Sequence, residues 1–122
     1  MCPDYTERMT MNTSELTGAA LDWAVAKCEG LLAFGYKDDM GLLLITLSTG
    51  EAEYFKPTLD WAQGGAIIER EGIALIPNWT AERPGFSADG ETPLVAAMRC
   101  YVASKLGEDV EIPIEFLIAR GA

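Results

Sequence analysis

The chain contains no histidine, and that absence alone removes a large part of enzyme chemistry. The commonest general base, the Cys/His and Ser/His nucleophile pairs and the commonest transition-metal ligand go with it. Three cysteines, Cys2, Cys28 and Cys100, are an odd number without CxxC spacing, so neither a zinc site nor a disulfide framework follows. Cys28 and Cys100 fall in predicted helices, where a free thiol behaves as a small buried hydrophobe; a reactive thiol is the lesser alternative. Neither GxGxxG nor GxxxxGK is present, and DxD and HExxH are missing as well. No apolar run approaches the length of a bilayer span. The opening MCPDYTERMTMNTSELTG lacks the apolar core of a signal peptide. A cytoplasmic location is expected from these features and from the unpaired thiols.

Basic residues are also scarce, nine against nineteen acidic ones, for a formal charge of -10. Duplex nucleic acid is not expected as a partner, because phosphate tracking needs a basic surface that releases counterions. Nor is a membrane. Mimicry of nucleic-acid charge is a minor alternative, since the acidic residues are spread along the chain.

What remains is a 122-residue chain, 49% hydrophobic and 23% charged, the size and composition of one folded domain. Residues 1–12 read as a flexible polar extension, with Met11 as a second possible start, and residues 13–122 as the domain. LTGAALDWAVAKCEG reads as a helix over 17–29, with Thr17 as cap and Gly30 as terminator. Leu21, Val25 and Cys28 line one of its faces, and Ala19, Trp23 and Ala26 line a second, so cover on both sides is expected. LLAFGY, LLLITL and AEYF read as an antiparallel meander joined by turns at KDDMG and STGE, ending at Pro57. AIIERE reads as a short helix stopped by Gly72, and IALIPNW as a strand ended by Pro77. TAERPGFSADGE reads as a polar loop long enough to be a lid.

Thr92 followed by Pro93 is a strong helix start, and LVAAMRCYVASKL carries that helix to Gly107. Leu94, Val95, Met98, Tyr101 and Val102 share one face, and the small residues Ala96, Cys100 and Ala103 share the other. EDVEIPIEFLIA gives a short extended piece and then a helical turn begun by Pro113. The expected fold is α+β, one compact domain with a mainly antiparallel sheet packed against two principal helices. Two apolar-faced helices in so short a chain suggest a homo-oligomer, most simply a dimer.

Three segments, TSELTGAALDWAVAKCEG, LDWAQGGAIIEREGI and TPLVAAMRCYVASKLGEDVEIP, resemble the NinX-like proteins of lambda-type bacteriophages and prophages. Where the family has proline, this chain has Ala66, and the N-terminal extension and the TAERPGFSADGE segment stand outside the resemblance. It implies a small phage or prophage accessory protein in a bacterial cytoplasm, and it supplies no activity, cofactor or catalytic residue to carry over.

The stretch TLDWAQGGAIIERE concentrates the candidate site. Asp60 can cap a helix, Gln63 offers a donor and an acceptor, and Gly64 and Gly65 let backbone amides approach a ligand, as in an anion or nucleotide cradle. Trp61, with Trp79 or Trp23, can stack on a planar ligand. The plainer reading has Asp60 capping, Trp61 in the core and the glycines in a turn, and it leaves Gln63 unexplained. Arg99, in an otherwise apolar helix, can pair with Asp60, Glu69 or Glu71, or hold a ligand carboxylate or phosphate. Asp60, Glu69 and Glu71 can in principle serve as acid and base or hold a hard cation through oxygens, but Glu69 and Glu71 point in different directions on a helix, so neither a catalytic set, a metal site nor a cofactor is expected from them.

The function expected is noncatalytic binding of a small planar or anionic, nucleotide-like ligand near Asp60, Trp61, Gln63, Gly64, Gly65, Glu69, Trp79 and Arg99, with countering of host defence signalling as its phage context. The alternatives are a protein-interaction module acting on a host or phage replication or recombination protein, and a small carboxylate- or metal-dependent hydrolase or transferase.

Overall fold

Three antiparallel sheets surround three helices in the computed structural model, which describes residues 8–30, 36–37, 43–46 and 51–113. The α+β class expected from the sequence is observed. In chain order the elements are β1 (Arg8–Asn12), a 3-10 turn (Thr13–Glu15), α1 (Gly18–Cys28), β2 (Tyr36–Lys37), β3 (Leu43–Thr46), β4 (Ala52–Tyr54), α2 (Trp61–Glu71), β5 (Ala74–Ile76), β6 (Thr80–Arg83), β7 (Phe86–Asp89), α3 (Pro93–Leu106) and β8 (Asp109–Pro113).

α3 is the centre of the molecule, and its sequence explains why it starts where it does. The Thr92 hydroxyl accepts the Val95 N–H at 3.1 Å and Pro93 occupies the first turn, where a missing N–H costs nothing. Leu94, Ala96, Ala97, Met98, Cys100, Tyr101 and Val102 are all buried, so the helix is enclosed by its neighbours rather than lying on a surface. α1 and α2 cover it on one side and the β5–β6–β7 sheet on another. The small-residue face permits the close approach of that sheet. Cys100 Sγ lies 3.9 Å from the Phe86 carbonyl oxygen, and a Cβ on Gly90 would sit 2.4 Å from the Ala96 nitrogen. Truncating fully buried Met98 to alanine would cost about 2–5 kcal/mol through lost transfer energy and the cavity left behind.

α1 is enclosed in the same way, with every residue from Ala20 to Ala26 buried. Thr17 stands at its N-cap position but makes no side-chain capping bond, and Gly30 follows it at φ 75. The apolar faces of α1 and α3 are thus used inside the chain. They no longer argue for a homo-oligomer.

Four features differ from the sequence reading. The last five residues of the expected N-terminal extension form β1, paired with β8 in the register Met11↔Val110 and Met9↔Ile112. Val110 and Ile112 point into the core and Met11 packs against it, while Thr10, Asn12, Asp109 and Glu111 are exposed; this period of two is weak in a polar sequence and needs the partner strand to appear. The expected short helix over AIIERE begins five residues earlier, at Trp61, and is as long as α1, so the described residues hold three principal helices instead of two.

The expected polar loop TAERPGFSADGE is a hairpin, β6–β7, around Pro84 and Gly85, with Gly85 at φ 83. Proline before a positive-φ glycine is a turn sequence, and the register Ala81↔Ala88 places two small residues together against α3. Finally, among the described residues the strands form separate sheets, β1–β8, β2–β3–β4 and β5–β6–β7, instead of one. The meander β2–β3–β4 is antiparallel as expected; most of LLAFGY, most of the KDDMG turn, most of STGE and the turn after Pro113 lie outside the described residues.

Candidate functional site

The DWAQGG segment is the first turn and a half of α2. Asp60 is the N-cap: its Oδ1 accepts the Ala62 N–H at 2.8 Å, and its carbonyl accepts the N–H groups of Gln63 and Gly64 at 3.1 and 2.8 Å. Those three amides are therefore engaged, and they do not form the anion cradle that the glycine pair suggested. Gln63 reaches back to the strand before it. Its Oε1 accepts the Lys56 N–H at 2.7 Å and its Nε2 donates to the Tyr54 carbonyl at 2.9 Å, which fixes the turn from β4 into α2. This is the role that a turn reading alone had left unexplained.

The two glycines do different things. A Cβ on Gly64 would lie 2.3 Å from the Pro57 carbonyl oxygen and 2.7 Å from Leu94 Cδ2, so only glycine lets α2 close onto that turn and onto α3. A Cβ on Gly65 would meet only the Trp61 ring, at an ordinary 3.6 Å. Packing therefore requires the first glycine and not the second. Trp61 does not fill the core: it is 55% exposed, beside Leu59 at 66%. Glu69 lies one turn beyond Gly65 on α2 and is exposed, and Asp60 is half-buried.

The other two candidates lie elsewhere. Trp79 ends the β5–β6 turn, where Asn78 and Trp79 both take left-handed backbone conformations at φ 73 and 57, unusual for residues with a side chain. Its carbonyl accepts the Gly90 N–H at 3.1 Å. The surface concavity beside it is lined by Leu75, Ile76, Pro77, Asn78 and Trp79, without a residue of α2. Arg99 projects away from the face of α3 that meets α2. It donates through Nε to the Leu16 carbonyl and through Nη1 to the Asp89 carbonyl, both at 2.8 Å, and to none of Asp60, Glu69 or Glu71.

Glu71 belongs to an ionic cluster where the C-terminal ends of α1 and α2 meet α3 and β6. The Arg70 guanidinium grips Glu29 through both Nη atoms, at 3.0 and 2.6 Å, and Glu71 through Nε at 2.8 Å. Arg83 donates to Glu71 at 3.0 Å, Lys105 lies 3.8 Å from it, and the Tyr101 hydroxyl donates to Glu29. Hydrogen bonding from Arg70 is the main reason that the Glu71 carboxyl sits below its usual range. Burial pushes Glu29 up, but the bonds from Arg70 and Tyr101 outweigh it. Asp60, Glu69 and Glu71 thus do not converge, and among the described residues no group of three potential ligands could hold a metal ion.

Sequence reasoning missed Asp22. LDWA occurs twice, at 21–24 and 59–62, and the first copy buries what the second exposes. Asp22 Oδ1 accepts the Thr58 N–H at 3.0 Å, while Oδ2 and the Thr58 hydroxyl oxygen have no partner. Burial pushes this carboxyl up to about 7, against the Thr58 backbone bond that favours its ionised form. The visible signal was a lone charge inside the apolar run AALDWAVA. Cys28 is likewise pushed up to about 12, by burial first and then by Glu29, which leaves it an unreactive thiol near neutral pH.

The arrangement of caps, clamps and close helix packing is spread over residues 12–105, and over that span the chain matches the family model described as Bacteriophage P22, NinX. The chain belongs to the NinX family. The matched span runs from the end of β1 almost to the end of α3, so it includes the β6–β7 hairpin and leaves β8 outside. No curated protein matches the chain. Membership makes it a phage accessory protein. Among the described residues no helix is long and apolar enough to cross a membrane.

Proposed function

We propose that this NinX family member is a noncatalytic binding protein of the infected cell's cytoplasm, and that it grips an arginine-bearing segment of a host or phage protein on the Trp61 face of α2. The observation that carries this reading is the pairing of Trp61 with Gly65. Glycine inside a helix costs about 1 kcal/mol relative to alanine, and no neighbour demands it at Gly65. An exposed tryptophan gives up further burial energy. Two costly residues side by side leave an indole open beside bare helix backbone, a surface on which a planar group can lie.

The charges select which planar group. Asp60 stands at the N-cap next to Trp61, and Glu69 lies one turn beyond Gly65, against which the ring leans, so a phosphate-bearing nucleotide is repelled here while a guanidinium is drawn in. Asp60 spends Oδ1 on its cap and keeps Oδ2 for a further donor. Leu59 adds apolar contact at the edge. Gln63 and Gly64 hold the platform rigid from behind, so little ordering cost falls on binding.

The test is an NMR titration of the full chain with an acetylated octapeptide of alternating leucine and arginine, beside lysine and citrulline versions. The arginine peptide should perturb the Trp61 indole N–H and the Gly65 amide, and both Trp61→Ala and Gly65→Ala should weaken it at least tenfold. Equal binding of the lysine peptide would show general attraction to an acidic chain and would sink the reading.

A further inference from the structure

We infer that a groove between β1, β7 and α3, on a different face from Trp61, binds a planar aromatic molecule carrying a phosphate. The groove has a volume of about 460 Å³ and its walls include Asn12, Ser14, Phe86, Ser87, Arg99 and Glu108. That volume lies in the range of small-molecule sites, roughly 300–1,000 Å³.

Its donors come from three separate elements. Arg99 bonds only neutral carbonyls, those of Leu16 and Asp89, so no carboxylate among the described residues neutralises it. Three of the five N–H groups of a guanidinium are left over. Asn12 Oδ1 accepts both the backbone N–H and the hydroxyl of Ser14, at 2.9 and 2.6 Å, which fixes the amide and leaves its NH₂ as a donor. Ser87, opposite Glu82 at a non-hydrogen-bonded position of the β6–β7 ladder, turns its side chain away from α3 and offers its backbone N–H at the free edge of β7. A cation with two neutral donors beside it is the combination that holds a phosphate.

Phe86 supplies the other half of the ligand's chemistry. It is 42% exposed, next to polar groups, where its ring offers a stacking surface instead of core packing. Glu108 is the one carboxylate on the walls, and it limits the site to ligands of low charge. This inference is independent of the Trp61 reading, because the two share no residue.

The probe is adenosine 5′-monophosphate, titrated into the full chain and followed by NMR, with adenosine and inorganic phosphate as separate arms. The monophosphate should perturb the Arg99 Nε–H, the Asn12 side-chain amide and the Ser87 amide, with adenosine and phosphate each binding at least tenfold more weakly. Because Arg99 also ties two backbone carbonyls, the decisive variants are Asn12→Asp, which keeps the oxygen that accepts from Ser14 and replaces the NH₂ donor with a repelling carboxylate oxygen, and Phe86→Ala. Each should weaken the monophosphate at least tenfold, Asn12→Asp at unchanged Tm and Phe86→Ala in a chain whose amide spectrum shows the fold retained, and Glu108→Gln should tighten it two- to fivefold. No perturbation at millimolar monophosphate, perturbation centred elsewhere, adenosine binding as well as its phosphate, or Asn12→Asp binding like the parent chain would each overturn the inference.

Discussion

The Asp22 carboxylate, in the middle of α1, accepts the backbone N–H of Thr58 at 3.0 Å and so ties that helix to the turn leading into α2. The bond crosses the core between the two copies of LDWA. It holds the residue just before the second copy in place while the first copy stays buried.

The tie has a pH signature. The folded-state pKa of Asp22 is raised to about 7 from 3.8, so the native state holds the proton more tightly than the unfolded chain. Its contribution is fully present below about pH 4 and is lost as pH rises through about 7, a swing on the order of 4 kcal/mol. Asp22→Asn keeps an acceptor for the Thr58 N–H, cannot ionise, and brings an amide donor toward the unpartnered Thr58 hydroxyl. Thermal melts from pH 4 to pH 8 should show the variant flat where the parent declines, with the variant the more stable at pH 8. A parent chain whose Tm does not fall across this range would refute the account.

Gly64 and Gly65 should respond in opposite directions to the same substitution. Gly64→Ala places a Cβ 2.3 Å from the Pro57 carbonyl oxygen, against backbone that cannot swing aside, and should cost about 1–3 kcal/mol or more. Gly65→Ala meets only ordinary contact with Trp61 and should stabilise the helix by about 0.5–1 kcal/mol. Urea unfolding at constant m-value separates the two. A destabilised Gly65→Ala would remove the argument that this glycine serves something other than the fold.

How much of this was legible beforehand depended on how local each cause is. The start of α3 was readable because Thr92, Pro93 and the N–H of Val95 lie within four residues of one another. Asp60 was readable as a cap for the same reason. The helix that follows it was not, since a glycine pair signals a turn unless one knows that Pro57 and Leu94 press on Gly64. The β6–β7 hairpin hid behind short strands whose inward residues, Ala81 and Ala88, are too small to mark a face. Arg99 stands out in an apolar helix, yet its partners are two carbonyls that no sequence pattern identifies. Glu29 and Arg70 meet across 41 residues for the same lack of a local sign.

β1 tests whether the N-terminal segment belongs to the fold. Deleting residues 1–10 removes the pairing of Arg8, Met9 and Thr10 with β8 and uncovers Ile112, which is otherwise fully buried. Exposing one side chain of that size costs about 1.5–3 kcal/mol, before the lost ladder is counted. The shortened chain should melt at a clearly lower temperature, and its Glu111 and Ile112 amides should exchange faster. An unchanged Tm would restore the view of residues 8–10 as a dispensable extension.

The ionic cluster should oppose Asp22 at the acid end. Glu29 and Glu71 both have carboxyl groups held below their usual range, so their contribution is present above about pH 4.5 and is lost as pH falls through their folded-state values. Glu71 gathers Arg70, Arg83 and Lys105 around one carboxylate, but Arg70 is half exposed, which limits the worth of that pair. Glu71→Gln should therefore cost about 1 kcal/mol at pH 6 and much less at pH 3. Together with Asp22, the cluster places the stability maximum of the parent chain at roughly pH 4–5, on the acid side of neutrality. In Asp22→Asn only the acid limb remains, so the maximum should broaden toward neutral pH; denaturant midpoints measured at half-unit intervals from pH 3 to pH 8 for the parent and both variants would show whether the two limbs separate in this way.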